Sequence, residues 1–146
     1  MKQKIWQRDL PEIFYLYADS RYSGSNLSNN NWILSRSGMN PPALTVQSDP
    51  KNTNGQINIF SGFREGKVLI YDPNDYFESA QITTFYFNWI EYSFQPIKDI
   101  LITSTLWVPD PNTICGIFKI RNQSNHKRKI HLDLGCLSSL FTTLFQ

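Results

Sequence analysis

Hydrophobic and polar positions alternate along three consecutive segments between residues 97 and 134. A period of two residues is that of a β-strand with one buried face. The turn-forming residues at 110–112 and 122–127 separate the segments, which predicts three antiparallel strands in a meander. The positions predicted to face inward are Ile100, Ile102, Leu106 and Val108, then Ile114, Gly116, Phe118 and Ile120, then Ile130, Leu132 and Leu134.

Further strands are predicted upstream, between residues 56 and 94. "QINIF" is a strand from Gln56, followed by the loop "SGFREGK" and by the strand "VLIYDP". "QITTFYFNWIEYSF" is aromatic throughout, and its alternation changes phase near Asn88. A bulge or bend within one strand is expected there.

The fold class that follows is an all-β antiparallel sandwich over residues 56–146. Strands with aliphatic and aromatic residues on both faces need a second layer to cover them. Residues 1–55 are rich in Ser, Asn, Gly and Pro, and are expected to form an irregular N-terminal segment with edge strands. The apolar run "GCLSSLFTTLFQ" has no turn signal, which indicates an incomplete part of a larger sandwich domain.

Composition excludes several partners. The chain has 146 residues, of which 14% are aromatic and 18% charged, and its net charge of +2 is too small to predict a nucleic-acid partner or an anionic membrane. The basic cluster His126-Lys127-Arg128-Lys129 is interpreted as a solvated hairpin loop. No run approaches the ~20 apolar residues of a membrane span. The start lacks an apolar secretory core, so a cytoplasmic protein is predicted.

Cysteine and histidine are too few for a zinc site, since there are two of each. Cys115 and Cys136 fall in separate predicted strands and are expected to be reduced thiols. No metal and no other cofactor is predicted. His131 alternates with leucines and is interpreted as an exposed strand residue rather than the partner of a thiol nucleophile.

The acidic residues Asp72, Asp75 and Glu78 lie close together in sequence. They could be proposed as the carboxylates of a glycoside hydrolase or as a calcium loop. Asp and Asn in such turns bond to nearby backbone groups, so a local structural role is the preferred interpretation.

Four segments carry a resemblance to a known class of domain. They are "FSGFREGK" (60–67), "YDPNDYFES" (71–79), "LWVPDPNTICGIFKIRNQS" (106–124) and "KIHLDLGCL" (129–137). Together they resemble the N-terminal β-sandwich domain of carbohydrate-active enzymes in which the sandwich precedes an (α/α)6 barrel. Glycoside phosphorylases and glucoamylase-like or debranching-type hydrolases are built in this way.

The resemblance implies a non-catalytic domain, because such enzymes carry their catalytic carboxylates in the barrel. The expected partner is then a catalytic (α/α)6 barrel absent from this chain, or a second copy through self-association. Residues 56–137 are the portion that the resemblance covers.

The alternative is an independent carbohydrate-binding module. Trp107, Trp89, Tyr92 and Tyr86 could form a flat platform, because the apolar faces of sugar rings pack well on aromatic surfaces. The competing interpretation is that these rings fill the sandwich or cover a barrel. A stand-alone enzyme is expected only if His131 and the acidic residues converge in one pocket.

Overall fold

The computed structural model describes residues 8–17, 32–36, 43–48, 55–110 and 113–140. In chain order, its strands are β1 (Arg8–Asp9), β2 (Ile13–Leu16), β3 (Trp32–Ser35), β4 (Thr45–Ser48), β5 (Gly55–Glu65), β6 (Val68–Ile70), β7 (Glu78–Tyr86), β8 (Trp89–Ile97), β9 (Ile100–Asp110), β10 (Thr113–Asn122) and β11 (Ile130–Leu140). A single 3-10 turn, Pro73–Asp75, precedes β7 within the described ranges.

The strands form two antiparallel sheets that face each other across a hydrophobic core. The first sheet has the order β1-β7-β8-β9-β10, and the second has the order β11-β5-β4-β3-β2, with β6 paired to β5. Buried residues from both sheets belong to one cluster. The predicted all-β antiparallel sandwich is thus confirmed.

The first 55 residues contribute four short strands. β1 and β2 are edge strands of the two sheets, whereas β3 and β4 lie inside the second sheet. Leu16, Leu34 and Val46 from these strands are in the core cluster. A strand of four residues offers only two positions on each face, so alternation gives little signal for it in the sequence.

β5 is longer than its sequence pattern predicts. The strand continues through residues 61–65, which were expected to form a loop, and the turn to β6 is confined to Gly66 and Lys67. Gly66 has a φ of 58°, a left-handed conformation that favours glycine. Gly62 is a strand residue, because the Tyr71 ring occupies the space where a Cβ would lie, 2.1 Å away. Aromatic cover of a strand glycine is the reason that the loop prediction was wrong.

The aromatic stretch over residues 81–94 is two strands and not one. β7 and β8 form a hairpin whose turn is Phe87-Asn88, and Tyr86 lies opposite Trp89. The phase change near Asn88 therefore marks a turn, and the expected bulge or bend at this position was wrong. The inward face predicted for Ile90, Tyr92 and Phe94 is confirmed, since all three are buried.

β11 does not complete a meander with β9 and β10. It pairs with β5 along its whole length, so the chain crosses from the first sheet to the second between Asn122 and Ile130. The crossing loop is organised by Asn122, whose side-chain amide donates to the carbonyl oxygen of His126 over 2.7 Å and whose Oδ1 accepts from Ser124 N over 3.0 Å. Such turn chemistry serves a crossover as well as a hairpin, which is why the meander was predicted wrongly.

Burial of the predicted inward positions depends on how central the strand is. In β9 every second residue from Ile100 to Val108 is buried, as predicted. Phe118, Ile130 and Leu132 are partly buried against the core. Ile120 and Leu134, however, are 47% and 63% exposed, so their predicted burial is wrong. They lie on β10 and β11, which are the edge strands of the two sheets.

Four aromatic rings form the centre of the core. The Phe94 ring is stacked on Tyr76 with 5.0 Å between centroids and on Tyr92 with 5.9 Å, and it meets Phe63 edge-on at 5.5 Å. Phe63 and Phe94 come from different sheets, so these contacts join the two layers. Aromatic pairs in such geometries contribute beyond the area that they bury.

One cation of the basic cluster ties the crossing loop to both sheets. The Arg128 guanidinium donates to both carboxylate oxygens of Glu65 on β5, with 2.7 Å between Nε and Oε1, and to the carbonyl oxygen of Lys98 in the β8–β9 turn. His126, Lys127 and Lys129 are exposed. The cluster as a whole is therefore not a solvated hairpin loop, because Arg128 has a structural role.

Glu65→Gln is expected to lower the melting temperature at neutral pH by a modest amount that disappears in acid. The hydrogen bond from Arg128 holds the pKa of the Glu65 carboxyl below its ordinary value of 4.5. A depressed pKa stabilises the fold above the ordinary value, and that contribution is lost as the pH falls through the folded-state pKa. Thermal unfolding from pH 7 to acid, with Glu78→Gln as an exposed control, would measure it. A difference between wild type and Glu65→Gln that is independent of pH would contradict this assignment.

Candidate functional site

Three aromatic residues form a row on the outer face of the first sheet. Trp89 of β8 lies directly opposite Trp107 of β9, and Tyr86 of β7 lies opposite Trp89 on its other side. The Tyr86 and Trp89 ring centroids are 5.8 Å apart. Tyr86 is 50% exposed, and both tryptophans are partly exposed. The structure thus brings together three of the four residues that the sequence proposed for a platform.

Tyr92, the fourth residue, does not belong to this row. Its side chain points to the core from β8, is 2% exposed and stacks on Phe94. Burial raises the pKa of the Tyr92 hydroxyl to about 12. A ligand on the outer face cannot reach this ring, so its assignment to the platform is corrected by the alternation of β8.

A carboxylate lies beside the tryptophan pair. Glu91 follows Trp89 by two residues on β8 and therefore shares its face. The Thr83 hydroxyl lies 3.1 Å from Glu91 Oε1, and the Thr105 hydroxyl lies 3.4 Å from Oε2. Contacts from two neighbouring strands hold the carboxylate in place. An ionised carboxylate offers about four acceptor positions, so capacity remains for hydroxyl donors of a ligand.

Around these groups the sheet surface forms an open depression of about 550 Å³. This volume is within the range of sites for small molecules. The depression combines two aromatic rings with one carboxylate and one amine. Its lining residues are Asn88, Trp89, Glu91, Thr105, Trp107, Ile117 and Lys119.

The acidic turn before β7 has a local structural role, as the sequence indicated. Asp72 Oδ1 accepts a hydrogen bond from Asn74 N over 2.8 Å, and the Asp72 carbonyl accepts from Asp75 N over 3.0 Å. Asp72 thereby caps the 3-10 turn. Within the described ranges, no group of three or more His, Cys, Asp or Glu side chains is arranged to hold a metal ion.

His131 lies far from this turn in the topology. It is exposed on β11 of the second sheet, opposite Arg64, whereas Glu78 begins β7 of the first sheet. Cys115 of β10 and Cys136 of β11 are free thiols in different sheets. The part of the chain that the structure describes does not bring His131 together with the acidic turn, the condition on which a stand-alone enzyme depended.

Comparison with known proteins places the chain in no family. No protein-family model, curated protein or solved structure shows significant similarity to it. In the described part of the chain, no helix has the length and apolar character needed to cross a membrane. Arguments about function therefore begin from the outer face of the first sheet.

Proposed function

We propose that this chain is a non-catalytic β-sandwich domain of a carbohydrate-active system, and that it binds carbohydrate on the outer face of its first sheet. The observation that carries the proposal is the opposed pair Trp89 and Trp107, which is partly exposed in the middle of that sheet. Central positions of a sheet hold side chains more rigidly than loops do, and rigid aromatic surfaces lose little entropy when a ligand packs on them.

The polar groups around the pair match the chemistry of a sugar. A pyranose presents apolar C–H faces to an aromatic ring and hydroxyl groups at its edge. Glu91 supplies fixed acceptors, Lys119 supplies donors, and the Asn88 amide supplies both. This mixture of a flat apolar surface with a few placed polar groups is typical of a ligand site.

A second candidate function is packing against a catalytic barrel or a second copy of the chain. The tip of the β7–β8 hairpin favours it, because Phe85 and Phe87 are 41% and 44% exposed. Tyr17 N donates to the Phe87 carbonyl over 2.8 Å, and Tyr15 nearby on β2 is 46% exposed. An exposed aromatic surface of this kind is a site for contact with another domain.

Native electrophoresis in gels that contain a soluble polysaccharide tests carbohydrate binding. Soluble starch, hydroxyethylcellulose and xylan are suitable probes, each compared with a gel that lacks polysaccharide. We expect retardation of the full chain in at least one of them. Normal mobility in all three would contradict the binding function and leave domain packing as the function that the exposed surface favours.

A further inference from the structure

A second depression adjoins the tryptophan site on the same face of the sheet. It has a volume of about 560 Å³, and its lining is polar where that of the first is aromatic. Ser93 of β8 contributes to it, and Ser93 follows Glu91 by two residues on the same strand. The residues of its lining on which the inference depends are Asp9, Glu78, Gln81, Ser93, Leu101 and Gln123.

Strand register makes the two depressions continuous. Ser93 lies opposite Gln81 on β7 and opposite Thr103 on β9, whereas Glu91 lies opposite Thr105. Each step of two residues along a strand advances about 6.6 Å on the same face. The surface from the tryptophan pair to Ser93 is therefore about 13 Å long, which is longer than a single sugar ring.

Both depressions follow the direction of β8 and β9, so together they form a groove with an aromatic end and a polar end. We propose that this groove binds an extended, neutral polysaccharide chain that runs parallel to β8 and β9. The inference rests on the proposed carbohydrate-binding function and adds the form of the ligand. One sugar unit stacks on Trp89 and Trp107, and later units place their hydroxyls on Gln81, Ser93 and Gln123.

Charge favours a neutral chain over an acidic one. Asp9, Glu78 and Glu91 line the groove with carboxylates, and Lys119 is the one basic side chain among its lining residues. A polyuronate would bring further carboxylates to this surface and be repelled. Neutral hydroxyls, by contrast, donate to carboxylate oxygens in charge-assisted hydrogen bonds.

Calorimetric titration with oligosaccharides of increasing length tests the inference. The probes are maltose, maltotetraose and maltohexaose, together with the corresponding cello-oligosaccharides. Added hydrogen bonds along the groove are expected to make a hexaose bind at least about tenfold tighter than the disaccharide of the same series. Equal affinity for short and long chains, with binding still dependent on Trp107, would overturn the extended groove and leave the proposed function intact. Absence of binding by every oligosaccharide would contradict both.

Two variants locate the additional contacts. Gln81→Ala removes a polar contact of the second depression, and Ser93→Arg blocks the passage between the two. Each should weaken hexaose binding toward the affinity for the disaccharide, and neither should change the disaccharide affinity. His131→Ala, on the exposed face of the other sheet, is the control. Unchanged hexaose affinity in folded Gln81→Ala and Ser93→Arg proteins would show that the second depression is not used, and if Ser93→Arg fails to fold, Gln81→Ala and the chain-length ratio decide.

Discussion

Phe94→Ala is expected to lower the free energy of unfolding by about 3–5 kcal/mol, the usual cost of removing a buried phenylalanine. Phe94 is 1% exposed, and its ring contacts Phe63, Tyr76 and Tyr92. Its removal leaves a cavity between the two sheets and separates the rings that join them. Single domains are stable by only about 5–15 kcal/mol, so this one change removes a large fraction of the total. Urea titration followed by circular dichroism measures it.

The control for this prediction is Phe77→Ala. Phe77 is 55% exposed, so the same substitution there should change stability by no more than about 0.5 kcal/mol. An equal effect of the two variants would contradict the core described above. So would a small effect of Phe94→Ala alone, because it would show that the two sheets do not pack through this ring.

Trp107→Ala is expected to weaken polysaccharide binding by at least about 30-fold. Truncation of an aromatic residue at the centre of a binding surface costs about 2 kcal/mol or more, which corresponds to that factor. Trp107 lies opposite Trp89 and next to the Glu91 carboxylate in the same depression. The dissociation constant is measured from mobility across a series of polysaccharide concentrations in native gels.

Two further variants make the result specific. Trp107→Phe keeps an aromatic face and should retain part of the affinity. Tyr15→Ala removes an aromatic residue of the second sheet, 46% exposed, and should leave binding unchanged. If Tyr15→Ala weakened binding as much as Trp107→Ala while both proteins remained folded, the binding surface would have to include the second sheet.

The strands that sequence predicts best are those whose burial depends on local alternation. β9 is flanked by β8 and β10, so one of its faces is fully covered, and its inward positions were predicted correctly. β11 is different because its partner is β5, with Leu132 opposite Phe63. Residues so far apart in sequence leave no local signal of their pairing. Turn residues before β11 therefore indicated a turn and could not indicate which sheet comes next.

The candidate site was predictable in part. Aromatic content pointed to Trp89, Trp107 and Tyr86, but the turn at Phe87-Asn88 contains neither Gly nor Pro, and residues with high strand propensity continue through it. Without that turn the register between β7 and β8 cannot be derived. This is why Tyr86 was not expected beside Trp89.

Two other features of the site could have been found from alternation. Tyr92 lies three residues after Trp89 in one strand, and an odd spacing places two side chains on opposite faces. By the same rule Glu91 shares the face of Trp89, and Thr105 shares that of Trp107. A strand model with both tryptophans outward would have excluded Tyr92 and included the carboxylate.

The most direct test of the account is nuclear magnetic resonance of the tryptophan indole N–H groups during titration with the polysaccharide that retards the chain. Trp89 and Trp107 lie in the proposed site, whereas Trp32 is 6% exposed in the core. We predict that the Trp89 and Trp107 signals shift in a saturable manner and that the Trp32 signal does not. Saturable binding that leaves the Trp89 and Trp107 signals unchanged would contradict the assignment of carbohydrate binding to the outer face of the first sheet.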